Sequence, residues 1–171
     1  MENVTTPQPP ESLAPGHDET EARTAEISGS AIVSQLAVVG APGEWVGKPS
    51  SFPAVVRAGA VIREFARVHA GCERETIIGE GAFVMSGAYV AHDVHLGRLA
   101  HVGPGALVGG LVTIGDHSRV GIGAVIRPKA VIGRNVIVGA GAVVTKDIPD
   151  NEVWAGNPAR YMKMVERIPV D

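Results

Sequence analysis

The chain has almost no aromatic residues: two Trp, two Tyr and three Phe in 171 positions, 4% of the total. Large rings dominate the burial of ordinary globular cores, so their scarcity points to an interior that is narrow and aliphatic. Cysteine is scarcer still. Cys72 stands alone, which excludes an internal disulfide and suits a reducing, cytoplasmic setting. Its side chain reads as a small buried group. An excess of one charge sign is also missing. A net charge of −3 argues against a nucleic-acid partner. No apolar run approaches the roughly 20 residues that span a membrane, and no basic start with an apolar stretch marks a secretory signal. The length predicts one domain.

A repeat fills the space left by these absences. Residues 78–149 are twelve consecutive hexads whose first positions are Ile78, Val84, Val90, Leu96, Val102, Val108, Ile114, Val120, Ile126, Ile132, Val138 and Val144. At about one chance in three per position, this register arises by accident about twice in a million trials. Gly often comes next, as at Gly79, Gly97 and Gly115. The fifth position is small or β-branched, as at Ala82, Val94 and Ser118. Short strands joined by turns would place the aliphatic residue inside a three-sided coil. The small residue would let the wall bend, and Gly would take backbone angles that a Cβ forbids. Stacking between coils would then hold the molecule together.

The register extends upstream from Val56, Ile62 and Val68, then breaks at 74–77. Ile27, Val33 and Val39 begin three further hexads, which makes eighteen hexads and about six coils. Residues 42–55 fit no hexad and carry Gly43, Gly47, Pro49 and Pro53, so they read as a loop. Residues 1–25, rich in Pro, Glu, Thr and Ser, read as a disordered tail. The all-β helix domain is expected over 26–160 and a C-terminal cap over 161–171. A short capping helix is predicted at 161–168, with Tyr161, Met164, Val165 and Ile168 on one face.

One histidine-aspartate pair, His92-Asp93, is set in the repeat. His92 holds the third hexad position, in a corner, and is expected to point outward. A histidine beside a carboxylate can serve as a general base near neutral pH; the same pair can also be an ordinary surface feature. One coil is eighteen residues, so Gly110 should lie beside His92 on the next coil. A glycine there lets a ligand approach a backbone N–H that would stabilise an oxyanion. Pro128 and Lys146 continue the same edge and could line a groove.

Two resemblances meet in the chain. The segment that opens with Ala88-Tyr89-Val90-Ala91-His92-Asp93 and runs to Pro149, closing with Ala155-Gly156-Asn157-Pro158-Ala159-Arg160, resembles the sugar N-acetyltransferases of the sialic acid, bacillosamine and perosamine type. Ile62-Arg63-Glu64-Phe65, Val68-His69-Ala70-Gly71 and Ala91-His92-Asp93 resemble the UDP-N-acetylglucosamine O-acyltransferases that begin lipid A synthesis. Gly43-Glu44 and Gly47-Lys48-Pro49 are loosely similar too, but Tyr89, Leu111 and Arg127 stand where that family has histidines.

These resemblances imply a left-handed parallel β-helix, a homotrimer and acyl transfer, with His92 as base, Asp93 orienting it and Gly110 as oxyanion donor. The first implies acetyl-CoA as donor and a sugar or nucleotide sugar as acceptor. The second implies an acyl carrier protein partner and a UDP-sugar. The donor groove is expected along Gly110, Pro128 and Lys146 toward Pro158, with Lys146, Arg160 and Lys163 as cations for its phosphates. Glu44, His69 and Tyr89 are acceptor-side candidates. A non-catalytic scaffold remains an alternative. A zinc enzyme like the gamma-class carbonic anhydrases is a further one, but Gly97 stands where a second ligand would follow His92, and no metal is expected.

Overall fold

The structure is a computed structural model that describes residues 25–34, 36–41 and 50–165. Six coils follow the repeat. The first is β1 (Ala25–Ile27), β2 (Ile32–Val33) and β3 (Val38–Ala41); the second is β4 (Ala54–Val56), β5 (Val61–Ile62) and β6 (Arg67–His69). The third is β7 (Thr76–Ile78), β8 (Phe83–Val84) and β9 (Tyr89–Val90); the fourth is β10 (His95–Leu96), β11 (His101–Val102) and β12 (Leu107–Val108). The fifth is β13 (Thr113–Ile114), β14 (Arg119–Val120) and β15 (Val125–Ile126); the sixth is β16 (Val131–Ile132), β17 (Ile137–Val138) and β18 (Val143–Val144). A closing hairpin adds β19 (Glu152–Ala155) and β20 (Arg160–Met164).

Each coil contributes one strand to each of three parallel walls. The first wall stacks β1-β4-β7-β10-β13-β16, the second β2-β5-β8-β11-β14-β17, and the third β3-β6-β9-β12-β15-β18. This is a parallel β-solenoid, consistent with the expected left-handed class. Register follows the repeat: Val90 lies beside Val108, and Val108 beside Ile126. All twelve first-position residues from Ile78 to Val144 are at most 3% exposed, and every fifth-position residue from Ala82 to Ile148 is buried as well. The core is therefore a stack of aliphatic layers.

The glycines work differently from the expectation. Left-handed backbone angles fall on the fourth hexad position, and non-glycine residues occupy many of these sites. Asp93, Leu99, Leu111, His117, Lys129 and Asn135 all have φ between 53° and 64°. A second-position glycine instead makes room for the next coil. A Cβ on Gly79 would stand 2.6 Å from the backbone of Gly97, and one on Gly115 the same distance from Gly133. Close stacking of coils, rather than a special corner angle, requires glycine there.

The boundaries also shift. Ala25 already belongs to β1, and residues 1–24 lie outside the described residues. The loop ends earlier than 55, because Ala54 and Val55 are in β4; its residues 42–49 lie outside the described residues. The break in register precedes Thr76, since Thr76 and Ile77 are in β7. At the C-terminus the expected helix is corrected to a strand over Arg160–Met164, antiparallel to β19, while 166–168 lie outside the described residues. Without β20 the outer edge of β19 would carry unpaired backbone groups, and a strand satisfies them where a helix would not.

Candidate functional site

The site is built at the corner between the third wall and the first. Residues 70, 92, 110, 128 and 146 succeed one another there, one per coil. Both interruptions of the repeat leave the solenoid at this same corner, one and two coils before His92. The second interruption folds into a cradle. The amides of Cys72, Glu73 and Arg74 converge on Oδ1 of Asp93 at 2.9, 2.8 and 2.8 Å. Thr76 Oγ1 accepts the Asp93 N–H at 2.8 Å. Gly71 makes the tight turn possible, because a Cβ on it would stand within 1.7 Å of the Arg74 carbonyl oxygen. The end of the long loop braces the cradle, since Ser51 and Phe52 donate to the Gly71 carbonyl.

Asp93 is fully buried, and its second oxygen, Oδ2, lies 2.5 Å from Nδ1 of His92. Burial opposes ionisation of this carboxyl, but the His92 hydrogen bond and the amides of Arg74, Glu73 and Cys72 outweigh it. The result is a carboxyl held below its usual range. An ionised carboxylate only accepts hydrogen bonds, so the neutral imidazole must carry its proton on Nδ1. Nε2 then presents its lone pair. That nitrogen lies against Gly110, 2.6 Å from the place a Cβ would take. The Gly110 N–H donates to no group among the described residues. The His92 side chain is 12% exposed, so the ring edge stays accessible. A base with a fixed tautomer and a backbone donor thus stand side by side.

A groove of about 400 Å³ opens on the third wall next to this corner. Tyr89, Leu107, Val125, Arg127 and Pro128 line it, together with Gly109. The repeat pattern does not single out Leu107, Val125 or Arg127 as groove residues, although they are the sixth- and second-position residues flanking the Gly110 and Pro128 corner. Arg127 donates through Nε to the Thr145 carbonyl at 2.8 Å and so ties this corner to the one bearing Lys146. Lys146 is exposed. The Gly156–Ala159 turn continues the third wall past β18, because Val143 N–H donates to Gly156 O and Ala159 N–H to Val143 O. Pro158 and Arg160 are exposed at that end. Lys163 belongs to β20 in the second wall and is not brought to the groove edge.

Other candidates divide. His69 is 2% exposed and its ring centroid is 4.9 Å from that of Tyr89, so only Tyr89 of this pair faces the groove. Glu44 lies outside the described residues. His95 and His101 face outward from the first and second walls, the latter with its centroid 5.0 Å from that of Phe83, so they do not converge on His92. Burial lowers the pKa of both; Arg74 adds to the effect at His95 and Arg119 at His101. Cys72 corrects an expectation: it is half-buried, in the cradle, rather than a fully buried group. Its sulfur, a His92 nitrogen and an Asp93 oxygen lie within 4.8 Å of one another. Both Asp93 oxygens are already engaged by hydrogen bonds, so this set does not fit a cation site as it stands. Among the described residues no helix is long and apolar enough to cross a membrane.

The repeat has counterparts in known proteins. Residues 75–110 and 112–146 match the bacterial transferase hexapeptide (six repeats), so this stretch carries the repeat of that family. It is similar to the perosamine N-acetyltransferase of Caulobacter crescentus, solved as a variant in complex with CoA and GDP-perosamine. The identity is 31% over 80% of this chain and 55% of that one, with a TM-score of 0.50. The chain therefore spans about half the length of that relative. A maltose O-acetyltransferase of Clostridium difficile 630 is 28% identical over 67% of this chain and 70% of that one, with a TM-score of 0.57. The UDP-N-acetylglucosamine acyltransferase of Francisella novicida shares the fold at a TM-score of 0.75, with 20% identity over 79% of this chain and 51% of that one. No curated protein sequence matches the chain significantly.

Proposed function

We propose that this protein is an acyltransferase that moves an acetyl group from CoA to an amine or hydroxyl of a sugar or nucleotide sugar. The observation that carries the reading is the placement of His92 Nε2 against Gly110, with Nδ1 held by a buried, ionised Asp93. The likeness to an N-acetyltransferase bound to CoA and GDP-perosamine, and to a maltose O-acetyltransferase, supports the donor and the acceptor class.

His92 Nε2 takes the proton of the acceptor amine or hydroxyl as that atom bonds to the thioester carbonyl carbon. The Gly110 N–H donates to the oxyanion that forms. As the carbon–sulfur bond breaks, the imidazolium returns the proton to the departing sulfur, which leaves as a free thiol. Asp93 keeps the ring oriented through its contact with Nδ1 while Nε2 takes and returns the proton.

The groove of the third wall takes the extended part of the donor, running past Pro128 and Lys146 toward Pro158 and Arg160. Lys146 and Arg160 meet its phosphates. Tyr89 stands on the acceptor side. The groove is shallow and apolar within one chain, so a second copy supplies its other wall; we assign a homotrimer, to be checked by sedimentation. The single cysteine and a CoA donor suit a cytoplasmic location.

Calorimetric titration of acetyl-CoA tests the reading. Saturable binding near one per chain is expected, and binding should persist in His92→Ala. Failure to bind would move the donor to an acyl carrier protein, or the protein to a scaffold role.

A further inference from the structure

The guanidinium of Arg74 spans two coils at the reactive corner. Its Nε donates to the backbone carbonyl of Asp93 at 2.9 Å, and one terminal nitrogen to that of Leu111 at 3.3 Å. Asp93 and Leu111 are the residues immediately after His92 and Gly110. Both sit in the left-handed region, with φ of +62° and +64°. The planar fork therefore clips together the two turns that hold the reacting groups, one on each coil. A second link runs beside it, since the Leu111 N–H donates to the His92 carbonyl at 3.0 Å. Arg74 also donates its own amide to Asp93 Oδ1, so a single residue touches the carboxylate, its carbonyl and the neighbouring coil.

We propose that Arg74 is a positioning residue for acyl transfer: its side chain fixes the spacing of the His92 ring over the Gly110 N–H. This role rests on His92 as base and Gly110 as oxyanion donor. The amides of the cradle fix Asp93, and Asp93 fixes the orientation of the ring, but neither reaches the coil that carries Gly110. Leu111 is held to the His92 coil by its own N–H and by the Arg74 fork. Lysine has one nitrogen at its tip and lacks the rigid fork, so it would not hold two carbonyls at a set separation. A displacement of about 1 Å at a reacting centre can cost on the order of a hundred-fold in rate.

The test separates the clip from the cradle. Arg74→Ala removes the fork but keeps the amide that holds Asp93. With acetyl-CoA as donor and GDP-perosamine or a UDP-amino sugar as acceptor, kcat should fall about ten- to a hundred-fold. The KM for acetyl-CoA should stay within about two-fold, since the donor groove is untouched. Added ethylguanidinium should restore part of kcat, and Arg74→Lys should not. Normal kcat in Arg74→Ala, or a loss that tracks a lowered Tm and is not rescued, would overturn the proposal.

A second readout needs no turnover. The amide resonance of Gly110 should move in Arg74→Ala, while the low-field Nδ1 proton of His92 stays in place. An unmoved Gly110 resonance overturns the clip. If the wild-type protein transfers no acetyl group, the functional reading fails by itself, and the resonance still decides the clip.

Discussion

The imidazole of His92 lies across the backbone of Gly110, with Nε2 2.6 Å and Cε1 2.7 Å from the position of a missing Cβ. Space for the ring exists only because residue 110 has no side chain. Gly110→Ala should therefore displace the ring and lower turnover by about a hundred-fold or more. The φ of Gly110 is not left-handed, so the backbone accepts alanine. The Tm should change by only a few degrees. Turnover and melting measured on the same preparation check the pair of outcomes, and unaltered turnover would remove the ring from the reaction.

His92→Ala removes the base whose tautomer Asp93 sets. Turnover is expected to fall about a hundred- to ten-thousand-fold. Acetyl-CoA affinity should remain close to the wild-type value, because the donor groove runs past Pro128 rather than through the ring. Kinetics and calorimetry together check this, and near-normal turnover would end the assignment of His92 as base.

Asp93→Asn tests the charge. The folded pKa of Asp93 is lowered, so its ionised form contributes stability that is fully present above the ordinary carboxylate value of about 3.9. That contribution is lost as pH falls through the lower folded value. The stability gap between wild type and Asp93→Asn should stay flat from neutral pH down to roughly pH 5. It should then close in more acidic solution as Asp93 takes up its proton. Urea melts across this range measure the gap, and one that does not depend on pH at the acid end would show that the carboxylate charge does not stabilise the fold.

Cys72→Ser should leave turnover within about two-fold, since the amide of residue 72, and not the thiol, holds Asp93. Gly71→Ala should do the opposite. Its Cβ would collide with the Arg74 carbonyl and open the cradle. The cost is expected at about 1–3 kcal/mol of stability, together with lost turnover. A large activity loss in Cys72→Ser would give the sulfur itself a role in the site.

Two glycines separate the causes of glycine in the repeat. A Cβ on Gly97 would stand 2.6 Å from Asp116 Oδ1 and 2.7 Å from the Asp116 backbone nitrogen. Gly97→Ala should therefore push two coils apart and cost about 1–3 kcal/mol. Gly123 has φ +62° and open space around its missing side chain. Gly123→Ala should cost only about 1 kcal/mol, from the left-handed backbone alone. Denaturant melts of the two variants check the order; equal costs would refute the close-approach explanation.

The hexad period by itself determined the coil, its core and the meeting of His92 with Gly110. Each of those depends on contacts at a fixed separation of one coil, and a repeat writes that separation into the chain. Tertiary structure decided the rest. The cradle around Asp93 forms where the repeat breaks, and no period constrains the path of residues 71–75 or points their amides at one oxygen. The Arg74 fork joins residues 19 and 37 positions away, a contact that only the stacked coils create. The C-terminal cap is similar. The pattern of Tyr161, Met164 and Val165 suits a helix, but the unpaired edge of β19 takes a strand, because exposed backbone groups weigh more than a weak apolar period.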